Sequence, residues 1–256
     1  MRPNRLKRLL AEKQKGVGAW LWLDSPTAAE IVSRAGFDFV MIDHEHGSGD
    51  VLSAIDLMRA VKAGGEATIA MRLASNDANL VKRALDAGAE ALMIPAVDTA
   101  EDARRAVRAC YYPPKGARGA AYPFIRAADY GVAAAAYPEH AAREFLLICQ
   151  IESVEAVDNI PAIAAVEGVD ALFLGPLDMS GTAGHFGRLD APPMRALVAR
   201  AETAIKASGK ALGGVPLGGE TPASLLARGY DLVLVGSDLV FVRDGAANLV
   251  KECRTK

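Results

Sequence analysis

The sequence predicts a (β/α)8 barrel, and three observations carry that reading. One αβ junction is written four times, because Gly36-Phe37-Asp38, Gly88-Ala89-Glu90, Gly168-Val169-Asp170 and Gly229-Tyr230-Asp231 each run straight into an apolar stretch. Each gap between these junctions is long enough for two βα units, and each contains one further apolar run. The length, 256 residues, matches the ~250 of a one-domain barrel.

The junction has a physical basis. A glycine tolerating positive φ ends the helix, and the acid occupies the turn before a strand buried on both faces. The four junction strands, the three gap strands and a first run before them give eight, at 18–23, 39–42, 67–71, 91–94, 145–151, 171–174, 210–212 and 232–235. Before them, Leu6, Leu9 and Leu10 stand at helical spacing, so residues 1–17 are expected to form a short helix closing the barrel floor. Residues 1–256 are read as one domain, with no linker, low-complexity tract or charge block.

The helices follow in order. Asp24-Ser25-Pro26 caps the first, and helices are expected over about 50–62, 76–87, 99–110 and 127–143. Another starts at Pro192-Pro193, and the last covers about 238–252. Residues 111–119 are a loop, since Pro113 and Pro114 forbid helix and Gly116 and Gly119 permit tight turns. Residues 181–187 form a second loop. Long loops in barrels are usually functional or interfacial.

Bulk composition excludes several classes. Hydrophobic residues at 51% and charged residues at 23% describe a globule with ample core, and a net charge of −2 supplies no attraction for nucleic acid or an anionic membrane. No apolar run approaches the ~20 residues of a membrane span. Cys110, Cys149 and Cys253 lie far apart with no CxxC pair, which argues against a zinc ribbon and fits the reducing cytoplasm.

The chemistry is expected where the strands end, at the carboxyl rim. Strand two ends in Asp43, His44, Glu45 and His46; strand three in Arg72; strand five in Gln150 and Glu152; strand six in Gly175, Pro176, Leu177 and Asp178. Strands four, seven and eight end in small or non-titrating residues, so the reactive groups share one arc. Glu152 and Asp178 are hard oxygen donors with no cysteine beside them, the preference of Mg2+ or Mn2+, with Co2+ as a further candidate. His46 is a base suited to neutral pH. His44 reads as structural or as supporting the site from behind. Trp20 and Trp22 share a face of strand one, where core packing is the plain reading and Trp20 also reaches the substrate side. Gly213-Gly214-Val215-Pro216-Leu217-Gly218-Gly219 could cradle an anion, although it lacks the spacing of a phosphate loop. No lysine ends a predicted strand, which disfavours a Schiff-base mechanism.

These residues resemble the HpcH/HpaI aldolase family of metal-dependent pyruvate aldolases. The likeness runs from Gly18-Ala19-Trp20-Leu21 through Asp43-His44-Glu45-His46-Gly47, Ile94-Pro95-Ala96-Val97-Asp98, Tyr112-Pro113-Pro114 to Arg118-Gly119, Gln150-Ile151-Glu152-Ser153 and Gly175-Pro176-Leu177-Asp178-Met179-Ser180. It implies that Glu152 and Asp178 hold the metal, His46 is the acid/base, Arg72 stabilises developing negative charge, and Asp86 tunes the histidine. It also implies that Gln150 and the backbone around Leu177 and Asp178 hold a 2-oxo acid. Asp43, His44 and Arg118 are expected behind the site or at a subunit interface. A homohexamer, a trimer of dimers exchanging the last helix, is a further implication. His44 and the loop from Gly181 to Arg188 depart from the commoner family pattern, which bears on the aldehyde accepted. Two rivals remain: an acyl-CoA lyase using the Arg118 loop for the CoA phosphates, and a non-catalytic barrel that binds a keto acid.

Overall fold

A computed structural model describes residues 3–254. Eight parallel strands, β1 (Gly16–Leu21), β2 (Phe39–Asp43), β3 (Thr68–Arg72), β4 (Ala91–Ile94), β5 (Leu146–Ile151), β6 (Ala171–Leu174), β7 (Ala211–Gly214) and β8 (Leu232–Ser237), close in sequence order. The strands after them in space are the strands after them in sequence, as right-handed βα units require. Helices α1 (Arg5–Ala11), α2 (Pro26–Arg34), α3 (Val51–Gly64), α4 (Ala78–Ala87), α5 (Ala100–Cys110) and α6 (Tyr137–Glu144) belong to the first half. They are followed by α7 (Val154–Ala164), α8 (Pro176–Thr182), α9 (Pro192–Ser208), α10 (Pro222–Ala227) and α11 (Asp238–Arg254).

The repeated junction works as a clamp. Gly36, Gly88, Gly168 and Gly229 all have φ between +91 and +113°, a region costly for any residue with a Cβ. The following acids then reach back to the preceding strand. Asp38, Glu90, Asp170 and Asp231 accept from the amides of Val17, Ile69, Leu147 and Leu212 at 2.8–3.0 Å. Their own amides donate to the carbonyls of those same four residues. Every odd strand is thus pinned at its start by the acid that opens the next even strand.

The floor completes this arrangement. Leu6 of α1 is fully buried in the barrel interior with Phe39, Met41, Met93, Ile148 and Leu232. Arg5, Lys7 and Lys15 pair with Asp38, Asp170 and Asp231. A second apolar layer, including Val40, Ile42, Leu147 and Leu172, faces the helices.

Several boundaries differ from expectation, among them the floor helix, which covers Arg5–Ala11 rather than 1–17, with residues 1 and 2 outside the described residues. β1 spans Gly16–Leu21, earlier than 18–23, because its pairing with β8 begins at Gly16. The tract expected at 127–143 is a 3-10 turn at Arg126–Gly131 followed by α6, since Asp129 and Tyr130 adopt φ of +53° and interrupt the helix. Gly181 and Thr182, expected in a loop, end α8. The glycines of β7 also have a packing cause: a Cβ on Gly213 would stand 2.5 Å from the Phe173 ring, and one on Gly214 2.4 Å from that of Tyr230. No helix among the described residues is long and apolar enough to cross a membrane.

Candidate active site

Strand alternation selects the site. Phe39 and Met41 face the barrel interior, so Asp43 ends β2 facing inward, while Val40 and Ile42 face the helices and His44 continues outward. By the same period, Ala70 leads to Arg72 on β3, Ile148 to Gln150 on β5 and to Glu152 just after it, and Phe173 to Gly175 after β6. The inward positions of neighbouring strand ends therefore carry the polar groups.

Asp43 is the hub. Its carboxylate accepts from Arg72 Nε at 2.9 Å and Nη2 at 2.5 Å, and from the amides of Glu45 and His46 at 3.0 and 3.4 Å. Arg72 Nη1 meets Glu45 Oε2 at 2.9 Å, and the guanidinium lies 4.5 Å from the centre of the Trp20 ring. One buried acid thus fixes the arginine and the turn that carries the histidine. Burial raises the Glu45 carboxyl above its ordinary pKa, with Arg72 opposing. The His46 side chain is 58% exposed, with Nε2 4.0 Å from Glu45 Oε2.

Glu152 is held from two sides. Its Oε1 accepts the Ala96 amide at 2.6 Å, and its Oε2 accepts from the Gln150 carboxamide. A Cβ on Gly175 would stand 2.9–3.0 Å from Glu152 and Gln150, so only glycine leaves room for this pair. Burial pushes the Glu152 carboxyl up to about 7, opposed by the Ala96 amide and reinforced by Glu45 and Asp178. Asp178 stands exposed in the first turn of α8, behind Pro176 at the helix start and beside the half-exposed Leu177.

This donor set fits a hard divalent cation. Glu45 and Asp178 both disfavour charge on Glu152, and the Gln150 Oε1 atom is buried without a hydrogen-bond partner. Among the described residues no three His, Cys, Asp or Glu side chains converge on one point. Two protein carboxylates with the remaining positions open is the pattern of a Mg2+-type site.

Other expected residues lie elsewhere. Asp86 occupies the last turn of α4, which runs from the rim back to the floor, and binds Arg118 at 2.6 Å; it does not contact the His46 of its own chain. Arg118 is buried, hydrogen-bonded to Tyr137 and stacked 4.6 Å over Tyr112. Its guanidinium is buried and does not face solvent as a CoA phosphate would need. His44 faces Asp24, Asp43 and Asp50, and burial lowers its pKa against their charges. A cavity of about 750 Å3 opens on the floor side, between Asn4, Arg118 and Tyr137, away from the rim.

Two contributions were not evident from the residues alone. Glu45 is the second partner of Arg72, a role signalled only by the alternation that puts it inward. Ala96 supplies the backbone donor to Glu152, and no side-chain chemistry marks it.

Comparison with known proteins agrees with this geometry. The profile of the HpcH/HpaI aldolase/citrate lyase family matches residues 17–244. A hydroxypyruvate/pyruvate aldolase of Cupriavidus necator is 36% identical over 98% of this chain and 93% of the relative. A 5-keto-4-deoxy-D-glucarate aldolase of Shigella dysenteriae is 36% identical over 96% and 95%. The crystal structure of a family member from Burkholderia cenocepacia superposes with a TM-score of 0.92 at 36% identity, covering 98% of this chain and all of that one. The chain belongs to the HpcH/HpaI aldolase/citrate lyase family and is, like the aldolases it matches, a carbon–carbon lyase.

Proposed function

We propose that the protein is a divalent-metal-dependent aldolase that joins a 2-oxo acid of the pyruvate or hydroxypyruvate type to an aldehyde and cleaves the resulting 4-hydroxy-2-oxo acid. The observation that carries this reading is the fixing of Glu152 at the end of β5 by the Ala96 amide and the Gln150 carboxamide, with Asp178 after the neighbouring β6 and the pinned Arg72 on the same rim. None of the eight strands carries a lysine, so a Schiff-base route has no rim amine to use.

Glu152 and Asp178 would hold Mg2+ or Mn2+, with Co2+ a further candidate; such an ion withdraws electrons from the 2-oxo group and acidifies the adjacent carbon. Gln150 and the turn of Gly175, Pro176 and Leu177 orient the 2-oxo acid. Arg72, which Asp43 and Glu45 hold in place, donates to the oxygen where enolate charge develops. Trp20 packs beneath the guanidinium and keeps water from that face. His46 takes the proton from the donor carbon and returns one to the aldehyde oxygen as the new bond forms.

Asp86 acts on His46 between subunits in this account, since α4 carries it to the floor of its own barrel. The assembly we infer is a hexamer, a trimer of dimers exchanging α11. Val242, Leu249 and Val250 on that helix are 49–64% exposed, a face that a neighbour would cover. The buried free thiols of Cys110 and Cys149 suit a cytoplasmic protein.

The test is cleavage of a 4-hydroxy-2-oxo acid with pyruvate release read through lactate dehydrogenase. Release with Mg2+ or Mn2+ that EDTA abolishes is the expected result; EDTA-insensitive release, or none with any of the three ions, would contradict the proposal.

A further inference from the structure

The chain carries a strained residue that the chemistry above does not use. Ala96, in the turn after β4, has φ of +49°, the left-handed region that residues with a Cβ occupy only when their surroundings impose it. Its methyl group is exposed, so packing of the side chain supplies no reason for the strain. Its amide supplies one: that N–H points at Glu152 Oε1 and donates over 2.6 Å. The next residue, Val97, returns to the strand pattern by donating to the Gln150 carbonyl. The chain therefore turns over at a single residue, and the group so redirected meets the carboxylate.

The two oxygens of Glu152 face different neighbours. Oε1 is taken by the Ala96 amide, while Oε2 accepts from the Gln150 carboxamide and lies 3.0 Å from the Cβ position of Gly175, on the side where α8 begins and Asp178 stands. We propose that Ala96 is a positioning residue for cation binding: its left-handed backbone ties down Glu152 Oε1 and turns Oε2 toward Asp178. The inference rests on the metal reading above and adds the element that pre-orients one ligand. Groups that orient a metal-binding carboxylate affect affinity by about 10–100-fold in comparable sites.

The conformation gives a test that a merely exposed alanine would not pass. Ala96→Gly keeps the amide and accepts positive φ freely, whereas Ala96→Val is β-branched and resists it. Mn2+ binding to the full-length protein, followed by electron paramagnetic resonance with circular dichroism to verify folding, is the readout. The expected result is affinity within about twofold of the wild type for Ala96→Gly and a loss of about tenfold or more for Ala96→Val. Equal affinity for a folded Ala96→Val would overturn the inference while leaving the metal reading intact. Absence of Mn2+ binding by the wild-type protein would overturn the metal reading itself. Amide hydrogen exchange supplies a measurement that does not depend on the valine variant folding. The Ala96 amide should exchange at least about tenfold faster in Glu152→Ala than in the wild type, given the usual worth of a hydrogen bond to a charged group; equal rates would overturn the inference.

Discussion

Asp43 grips Arg72 through both carboxylate oxygens, at 2.9 and 2.5 Å, at the inward end of two adjacent strands. The Asp43 side chain is fully buried and that of Arg72 is 7% exposed, so the pair is a fixed part of the wall. Because the same carboxylate also takes the amides of Glu45 and His46, the position of the arginine and the start of the histidine turn are set together. The arginine and the histidine to which we assign catalytic roles are thereby held in one frame before substrate arrives.

Asp43→Asn should therefore damage both fold and function. Breaking a buried ion pair typically costs about 3–5 kcal/mol, and misplacing Arg72 should lower turnover by about 10²-fold. Urea unfolding and steady-state kinetics check the two halves; a variant of wild-type stability would show that the pair is not structurally important.

Gly175→Ala tests the packing around Glu152, the proposed metal ligand. The backbone there is ordinary, with φ of −105°, so the added methyl acts only through its contacts with Glu152 and Gln150 at 2.9–3.0 Å. Mn2+ affinity is expected to fall by about tenfold or more with little change in melting temperature, as measured by calorimetric titration and thermal unfolding.

The Glu152 carboxyl, pushed up to about 7 from an ordinary 4.5 chiefly by burial, gives a pH dependence with a defined sign. Between those values the native state holds a proton that the unfolded chain releases, so metal-free stability is fully present below about 4.5 and declines as pH rises through about 7. The decline is of order 3 kcal/mol. Mn2+ affinity moves oppositely, rising with pH to about 7 and levelling above it, because proton and cation compete for one carboxylate. Glu152→Gln should flatten the stability profile; a slope that survives this change would place the titration elsewhere.

Asp86 yields a test of assembly. If it serves a neighbouring histidine, His46→Ala and Asp86→Ala are each impaired alone, while hybrids refolded from both contain sites with an intact histidine and an intact aspartate. Pyruvate-forming activity of the mixture should exceed that of either parent several-fold; no gain in verified mixed oligomers would contradict the intersubunit pairing.

Much of this molecule was legible in the residues. The four Gly-x-acid junctions located the even strands, because positive φ and the strand clamp both demand specific residue types. The inward set of Arg72, Gln150 and Glu152 followed from strand ends. What was hidden depended on distance along the chain or on backbone conformation. Nothing near Asp86 in sequence announces Arg118, the Ala96 donor has no side-chain signature, and the left-handed pair Asp129 and Tyr130 broke a segment that composition favoured as helix.

The central claim is metal-assisted enolate formation, and exchange of the methyl protons of pyruvate in D2O tests it without knowledge of the aldehyde. Proton NMR should show loss of the methyl signal with Mg2+, a persistent signal when EDTA is present from the start, and exchange slowed by about 10²–10⁴-fold in His46→Ala. A methyl signal that persists with Mg2+ while pyruvate binds would contradict the account.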